Sequence, residues 1–167
     1  RLLRGRRNRG QYGNIVRLRR NAMLLQVILG LAGSLLLLIS ADRIADGLFG
    51  IRYGALIIRV LSPVIFLRTV SSVLVGYFQG DGSELPRAVS GILRQIFILG
   101  FGLMFAGMRK AYGEKVSDLL MQENFTYMHI GSGIAAAICL AEILIIIFLA
   151  VIFRGSQRAE KRTRREE

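Results

Sequence analysis

Four long apolar stretches divide this chain, and their length limits what it can fold into more than any other feature. They cover roughly 22–40, 54–78, 86–108 and 129–153. At about 1.5 Å of helical rise per residue, each is long enough to cross a hydrocarbon core of about 30 Å. A soluble four-helix bundle would carry polar positions every three to four residues, and the first and fourth stretches have no such stripe. The expected fold class is therefore all-α: a polytopic membrane bundle of four transmembrane helices.

Charge and apolarity are segregated. The chain has 167 residues, 53% hydrophobic, with 23 Lys+Arg against 11 Asp+Glu and a net charge of +12. Eight arginines fall within residues 1–20 and six Lys/Arg within 154–167. Three segments follow: a basic loop at 1–21, the four-span bundle at 22–153 and a basic tail or loop at 154–167. With both ends inside, the inner segments hold fifteen Lys/Arg, including Arg87. The outer segments hold Arg43, Arg52, Arg109, Lys110 and Lys115, matched by Asp42, Asp46, Glu114, Asp118 and Glu123. The positive-inside bias predicts that both ends face the cytoplasm, in a multi-pass membrane protein. Aromatic residues near the span ends fit those boundaries: Phe49, Tyr53, Tyr112 and Tyr127 outside, Tyr77, Phe78 and Phe153 inside. The basic ends read as topology determinants that also touch anionic lipid. Nucleic-acid binding would need stacking aromatics, and the first segment has only Tyr12, so no nucleic-acid partner is expected.

The chain opens on an arginine run rather than methionine and is read as part of a longer protein. The run resembles a signal-peptide start, but the apolar stretch after it is too long for one. Cys139 and His129 are each the only residue of their type. Disulfides, His/Cys metal clusters and catalytic triads are therefore hard to build, and neither a cofactor nor an enzymatic activity is expected. Between charged residues at 109–128, Val116, Leu119, Leu120 and Phe125 fall near helical spacing, which predicts a short amphipathic helix on the outer surface. Asn124-Phe-Thr126 matches a glycosylation sequon.

Between the second and third stretches lies "GYFQGDGSELPRAVSGILRQI", residues 76–96. Gly80-Asp81-Gly82 supplies unusual backbone angles, Ser83 is a candidate N-cap and Glu84 suits the positive end of a new helix. Pro86 is tolerated in a first helical turn. The segment reads as a cytoplasmic hairpin that makes spans two and three antiparallel neighbours.

Four charges lie inside the spans: Arg59, Arg68, Arg94 and Glu142. Arg59 is near the outer end of span two, where it can snorkel to the interface. Arg68, twelve residues from Gly80, lies roughly 18 Å deep, and Glu142, twelve from Arg154, lies at a similar depth. Arg94 is eight residues past Pro86, roughly 12 Å deep. Charges at such depth are costly unless they meet water or a partner. Arg59 and Arg68 are nine residues apart, so they point to nearly opposite faces, with Pro63 between them. Two readings stand side by side: a water-accessible cavity with cationic walls for an anionic substrate, and an Arg68–Glu142 pair joining spans two and four. Gly30 with Ser34, and Gly131, Ala135 and Cys139 at four-residue spacing, read as helix-packing positions.

The hairpin, together with "SSVLV" before it, resembles the multidrug/oligosaccharidyl-lipid/polysaccharide flippase superfamily, in its stage V sporulation protein B and polysaccharide-biosynthesis branch. Gly76, Tyr77, Phe78, Gln79, Gly80, Pro86, Ala88, Ser90 and Gln95 carry the likeness. "GQYGNIVRLRRNAMLL" and "IGSGIAAAICLAEILIIIF" are similar to the lead into that family's third helix and to its sixth. The resemblance implies helices three to six of a transporter with twelve to fourteen helices, in two lobes around a central cavity. It further implies movement of undecaprenyl-pyrophosphate-linked sugars or peptidoglycan precursors by alternating access. The partners would be the bilayer, the anionic lipid-linked saccharide and the rest of the transporter chain. The branch has arginine where this chain has Val75, and glutamate where it has Arg94. Either an acid–base pair is lost or the positive charge has moved; Arg68, seven residues from Val75, shares its face. The other readings are a drug or cation antiporter of the same superfamily and a non-transporting four-span scaffold.

Overall fold

A computed structural model describes residues 12–47, 50, 54–80, 82–121 and 124–166, with side chains described for 20–47, 50, 54–80, 82–121 and 125–156. Phe49, Arg52, Tyr53, Asp81 and Glu123, residues 1–11 and 167, and the side chains of Asn124 in the sequon and of most of the two basic ends lie outside the described residues. Four helices account for nearly everything described: α1 (Tyr12–Gly47), α2 (Gly54–Gly80), α3 (Leu85–Leu120) and α4 (Asn124–Glu166). All four are long and apolar enough to cross a membrane. Much of that apolar surface is uncovered. Leu25, Ile28, Leu29, Leu36 and Ile39 of α1 and Leu103 of α3 are exposed. Such faces are stable against acyl chains and costly against water.

The helices neighbour one another in the order α1, α2, α4, α3. The short α2–α3 connection makes its helices antiparallel but not packed partners: α2 and α3 barely touch, while each packs along α4. The expectation of direct neighbours fails because α4 carries the small residues that admit close approach on two faces. On one face Gly131 lies against Ile57 of α2, and Cys139 Sγ donates to the Val60 carbonyl at 3.2 Å. On the other, Gly133 lies against the Phe105 carbonyl and Arg109 of α3, and Gly113 of α3 lies against Thr126 and His129 of α4. The His129 ring meets Tyr112 edge-on at 5.2 Å. At the α1–α2 contact, Gly30 faces Thr69.

These contacts give a graded prediction. A Cβ at Gly30 would sit 2.6 Å from the branched Cβ of Thr69, and one at Gly133 would sit 2.8 Å from the Phe105 carbonyl oxygen. Neither neighbour is a flexible chain end, so Gly30→Ala and Gly133→Ala are each expected to destabilise the bundle by roughly 1–3 kcal/mol. Gly100 has open space around it. Gly100→Ala should be neutral or stabilising by up to about 1 kcal/mol, because alanine is the better helix former. Thermal unfolding of the purified variants in one detergent ranks the three.

Pro63 sits inside α2 and cannot donate a backbone hydrogen bond to the Arg59 carbonyl four residues earlier. Ser62 Oγ donates to that same carbonyl at 2.9 Å. The hydroxyl thus replaces the missing N–H where no water is at hand.

The α2–α3 turn has a specific form. The Gly82 N–H donates to the Gln79 carbonyl at 3.1 Å, and the Ser83 N–H to the Phe78 carbonyl at 3.0 Å. Gly82 holds φ +90°. This nested pair with a left-handed residue is the Schellman ending of a helix. Gly82, rather than Gly80, is therefore the residue whose conformation requires glycine. Gly76, Gln79 and Gly80 belong to the last turns of α2. Ser83 does not cap α3: its N–H is used to end α2, and Glu84 occupies the N-cap without a side-chain bond. Pro86 stands in the first turn of α3, where a missing N–H is tolerated.

The expected separate amphipathic helix at 109–128 is absent. Residues 109–120 continue α3 without a break, and α4 begins at Asn124. Lys110 and Glu114 face each other at 3.7 Å on this extension. Helical hydrogen bonding does not depend on the solvent outside, so the helix outlasts its apolar stretch.

Candidate functional site

Beside the α2–α3 turn, the core is a plug of large apolar side chains. Phe78, Ile145 and Leu149 are buried, with Leu74, Val75, Leu93, Phe97 and Phe148 around them. Tyr77 packs edge-on against Phe153 at 4.6 Å and Phe78 at 5.8 Å. One turn beyond Ile145 on α4, the interior turns from apolar to ionic.

Glu142 is there, with its side chain 1% exposed. Its Oε1 accepts a hydrogen bond from Arg68 Nη1 of α2 at 2.6 Å. Arg94 Nε of α3 lies 2.7 Å from the same oxygen but out of line for a hydrogen bond, so that contact is Coulombic. Ser71, buried on α2, has one hydroxyl proton between two acceptors: the Arg68 carbonyl at 2.9 Å and Glu142 Oε2 at 3.3 Å. Arg94 Nη2 donates to the same hydroxyl at 3.4 Å. Three helices thus converge on one carboxylate, and the cluster bridges α2 and α3, which hardly meet otherwise.

The two arginines are not equivalent. Arg94 is 12% exposed, while Arg68 is 52% exposed. One buried carboxylate neutralises one guanidinium, so the cluster keeps one positive charge in surplus, and the half-exposed Arg68 presents it. By helical rise that charge stands roughly 18 Å from the end of α2.

The four charged residues singled out from the sequence therefore separate into two groups. Arg68, Arg94 and Glu142 meet. Arg59 does not join them: its Nη2 donates to Asp42 Oδ2 of α1 at 2.6 Å, with both side chains more than half exposed. The nine-residue spacing had placed Arg59 and Arg68 on opposite faces of α2, and they point to α1 and α4 respectively. The Arg59–Asp42 pair is an exposed contact of small energetic consequence. The Arg68–Glu142 pairing that sequence depth suggested is present, but as part of a cluster. Two partners were missed, Ser71 of the cluster and Asp42 of Arg59. Ser71 is a mid-span serine three residues after Arg68, and Asp42 was assigned to a loop although α1 runs on to Gly47.

Comparison with family models, with curated proteins and with solved structures gave no match to any of them.

Proposed function

We propose that this chain is part of a transporter, rather than an enzyme, that moves an anionic, lipid-linked saccharide across a bacterial cytoplasmic membrane by alternating access. The ligand class is an undecaprenyl-pyrophosphate-linked oligosaccharide or peptidoglycan precursor. In this reading the four helices belong to a larger flippase of the superfamily that the 76–96 hairpin resembles, and both basic ends lie on the cytoplasmic side.

One observation carries the reading: two arginines share one carboxylate deep in an apolar bundle, and the surplus charge lies on the more open of them. A purely structural ion pair needs one cation per anion, and an extra guanidinium at depth costs several kcal/mol unless something anionic or aqueous reaches it. A pyrophosphate supplies that anion. A drug or cation antiporter is disfavoured on the same ground, because Glu142, the only buried acid among the described residues, already has two cations against it.

The test is translocation by the full-length chain in proteoliposomes, using a fluorescent polyprenyl-pyrophosphate-linked sugar and a quencher that cannot cross the bilayer. Transfer above that of protein-free liposomes, inhibited by excess unlabelled ligand, is expected. A rate equal to that of empty liposomes would refute transport.

A further inference from the structure

The cluster contains a duplication that a simple anion site does not need. Arg68 and Arg94 both address Oε1 of Glu142, not one oxygen each. If Arg68 swings away, Oε1 still has Arg94 at 2.7 Å and Oε2 still has the Ser71 hydroxyl at 3.3 Å. The carboxylate is not orphaned, so the departure is cheap as long as Arg68 finds another anion. Arg94 has no such freedom: it is almost covered, and it also donates to Ser71.

We propose that Glu142 is the resident counter-ion of Arg68, which an incoming phosphate displaces, and that it sets which anions can dock. This rests on the anionic-ligand reading above. An incoming carboxylate offers Arg68 the same single charge and the same oxygen geometry that Glu142 already provides, and gains little. A phosphate carrying more than one negative charge offers a larger Coulomb attraction and oxygens for both guanidinium Nη groups. Glu142 thereby acts as a threshold that excludes weak anions, and specificity comes from competition as well as attraction. Arg94 and Ser71 keep the displaced carboxylate in place, ready to reclaim Arg68 when the ligand leaves.

The experiment measures binding to the full-length chain in nanodiscs of zwitterionic lipid. The probes are inorganic pyrophosphate, farnesyl pyrophosphate and acetate, applied to the wild type, Glu142→Gln and Arg68→Gln. Glu142→Gln keeps the shape and an acceptor oxygen but removes the competing charge. It should bind pyrophosphate about tenfold more tightly, the scale of one charge-assisted hydrogen bond, and should let acetate compete. Arg68→Gln should bind neither pyrophosphate probe. Should Glu142→Gln fail to fold, Glu142→Asp retracts the carboxylate by one methylene and should tighten binding in the same direction. Unchanged or weaker pyrophosphate binding in the folded variant, with the wild type binding, would overturn the counter-ion role while leaving the anionic-ligand reading intact. No binding by any form, wild type included, would overturn both. Within a positive result, preference for farnesyl over inorganic pyrophosphate identifies a lipid-linked ligand, and equal affinity identifies a free anion.

Discussion

Glu142→Leu is expected to destabilise the bundle by about 3–5 kcal/mol. The leucine itself is tolerable in volume. The damage comes from Arg94, which would lose its only carboxylate among the described residues while 12% exposed. The remedy identifies the cause. Arg94→Leu/Glu142→Leu removes a buried cation together with its anion and should recover most of the stability, because a buried ion pair can be replaced by apolar side chains at little or no cost. Arg68→Leu/Glu142→Leu removes the exposed cation instead and strands Arg94, so it should remain close to the Glu142→Leu value. A Glu142 paired with Arg68 alone would give the opposite order. Unfolding of the wild type, the Arg68→Leu, Arg94→Leu and Glu142→Leu singles and the two doubles in one detergent, analysed as double-mutant cycles, separates the two schemes.

Arg68→Ala is expected to abolish ligand movement, lowering the initial rate at least tenfold, with a stability change below about 1 kcal/mol. The dissociation of function from fold follows from the geometry. Arg68 is half open, and Glu142 keeps Arg94 and Ser71 in its absence. Arg68→Lys should recover only part of the rate, since an ammonium is a point donor and cannot present the paired N–H groups of a guanidinium. A normal rate for Arg68→Ala at matched protein levels would remove this residue from the translocation path.

The sequence revealed most where one physical term dominates. Long apolar runs have a single stable solvent, so the four spans could be read directly, and Arg68 and Glu142 could be paired because both lie twelve residues from a polar boundary. Arg94 was counted as shallower, at about 12 Å against 18 Å by helical rise. Its place in the cluster depends on the position of α3 across α4, which only packing decides. The same holds for helix order: the short turn suggested that spans two and three touch, yet the glycines on two faces of α4 bring α4 between them. Hydropathy marks where an apolar stretch stops, not where a helix stops, which is why residues 109–120 looked like a separate element and Asp42 like part of a loop. The sequence offered both Gly80 and Gly82 for the turn, because the two are equivalent in composition, and only the hydrogen bonds of Gly82 and Ser83 show that Gly82 is the one that turns left-handed.

The central claim is that the face of α2 bearing Arg68 meets water and anions at membrane depth. Ser72 lies on that face, one turn from Arg68, and is exposed. The most direct measurement is the reaction rate of a Ser72→Cys thiol, in a Cys139→Ala background of the full-length chain in membranes, with anionic and cationic methanethiosulfonates that do not cross lipid. Rapid modification is predicted, faster for the anionic reagent and slowed by a polyprenyl pyrophosphate. A thiol that reacts only with a lipid-soluble maleimide would place this face against acyl chains and contradict the account.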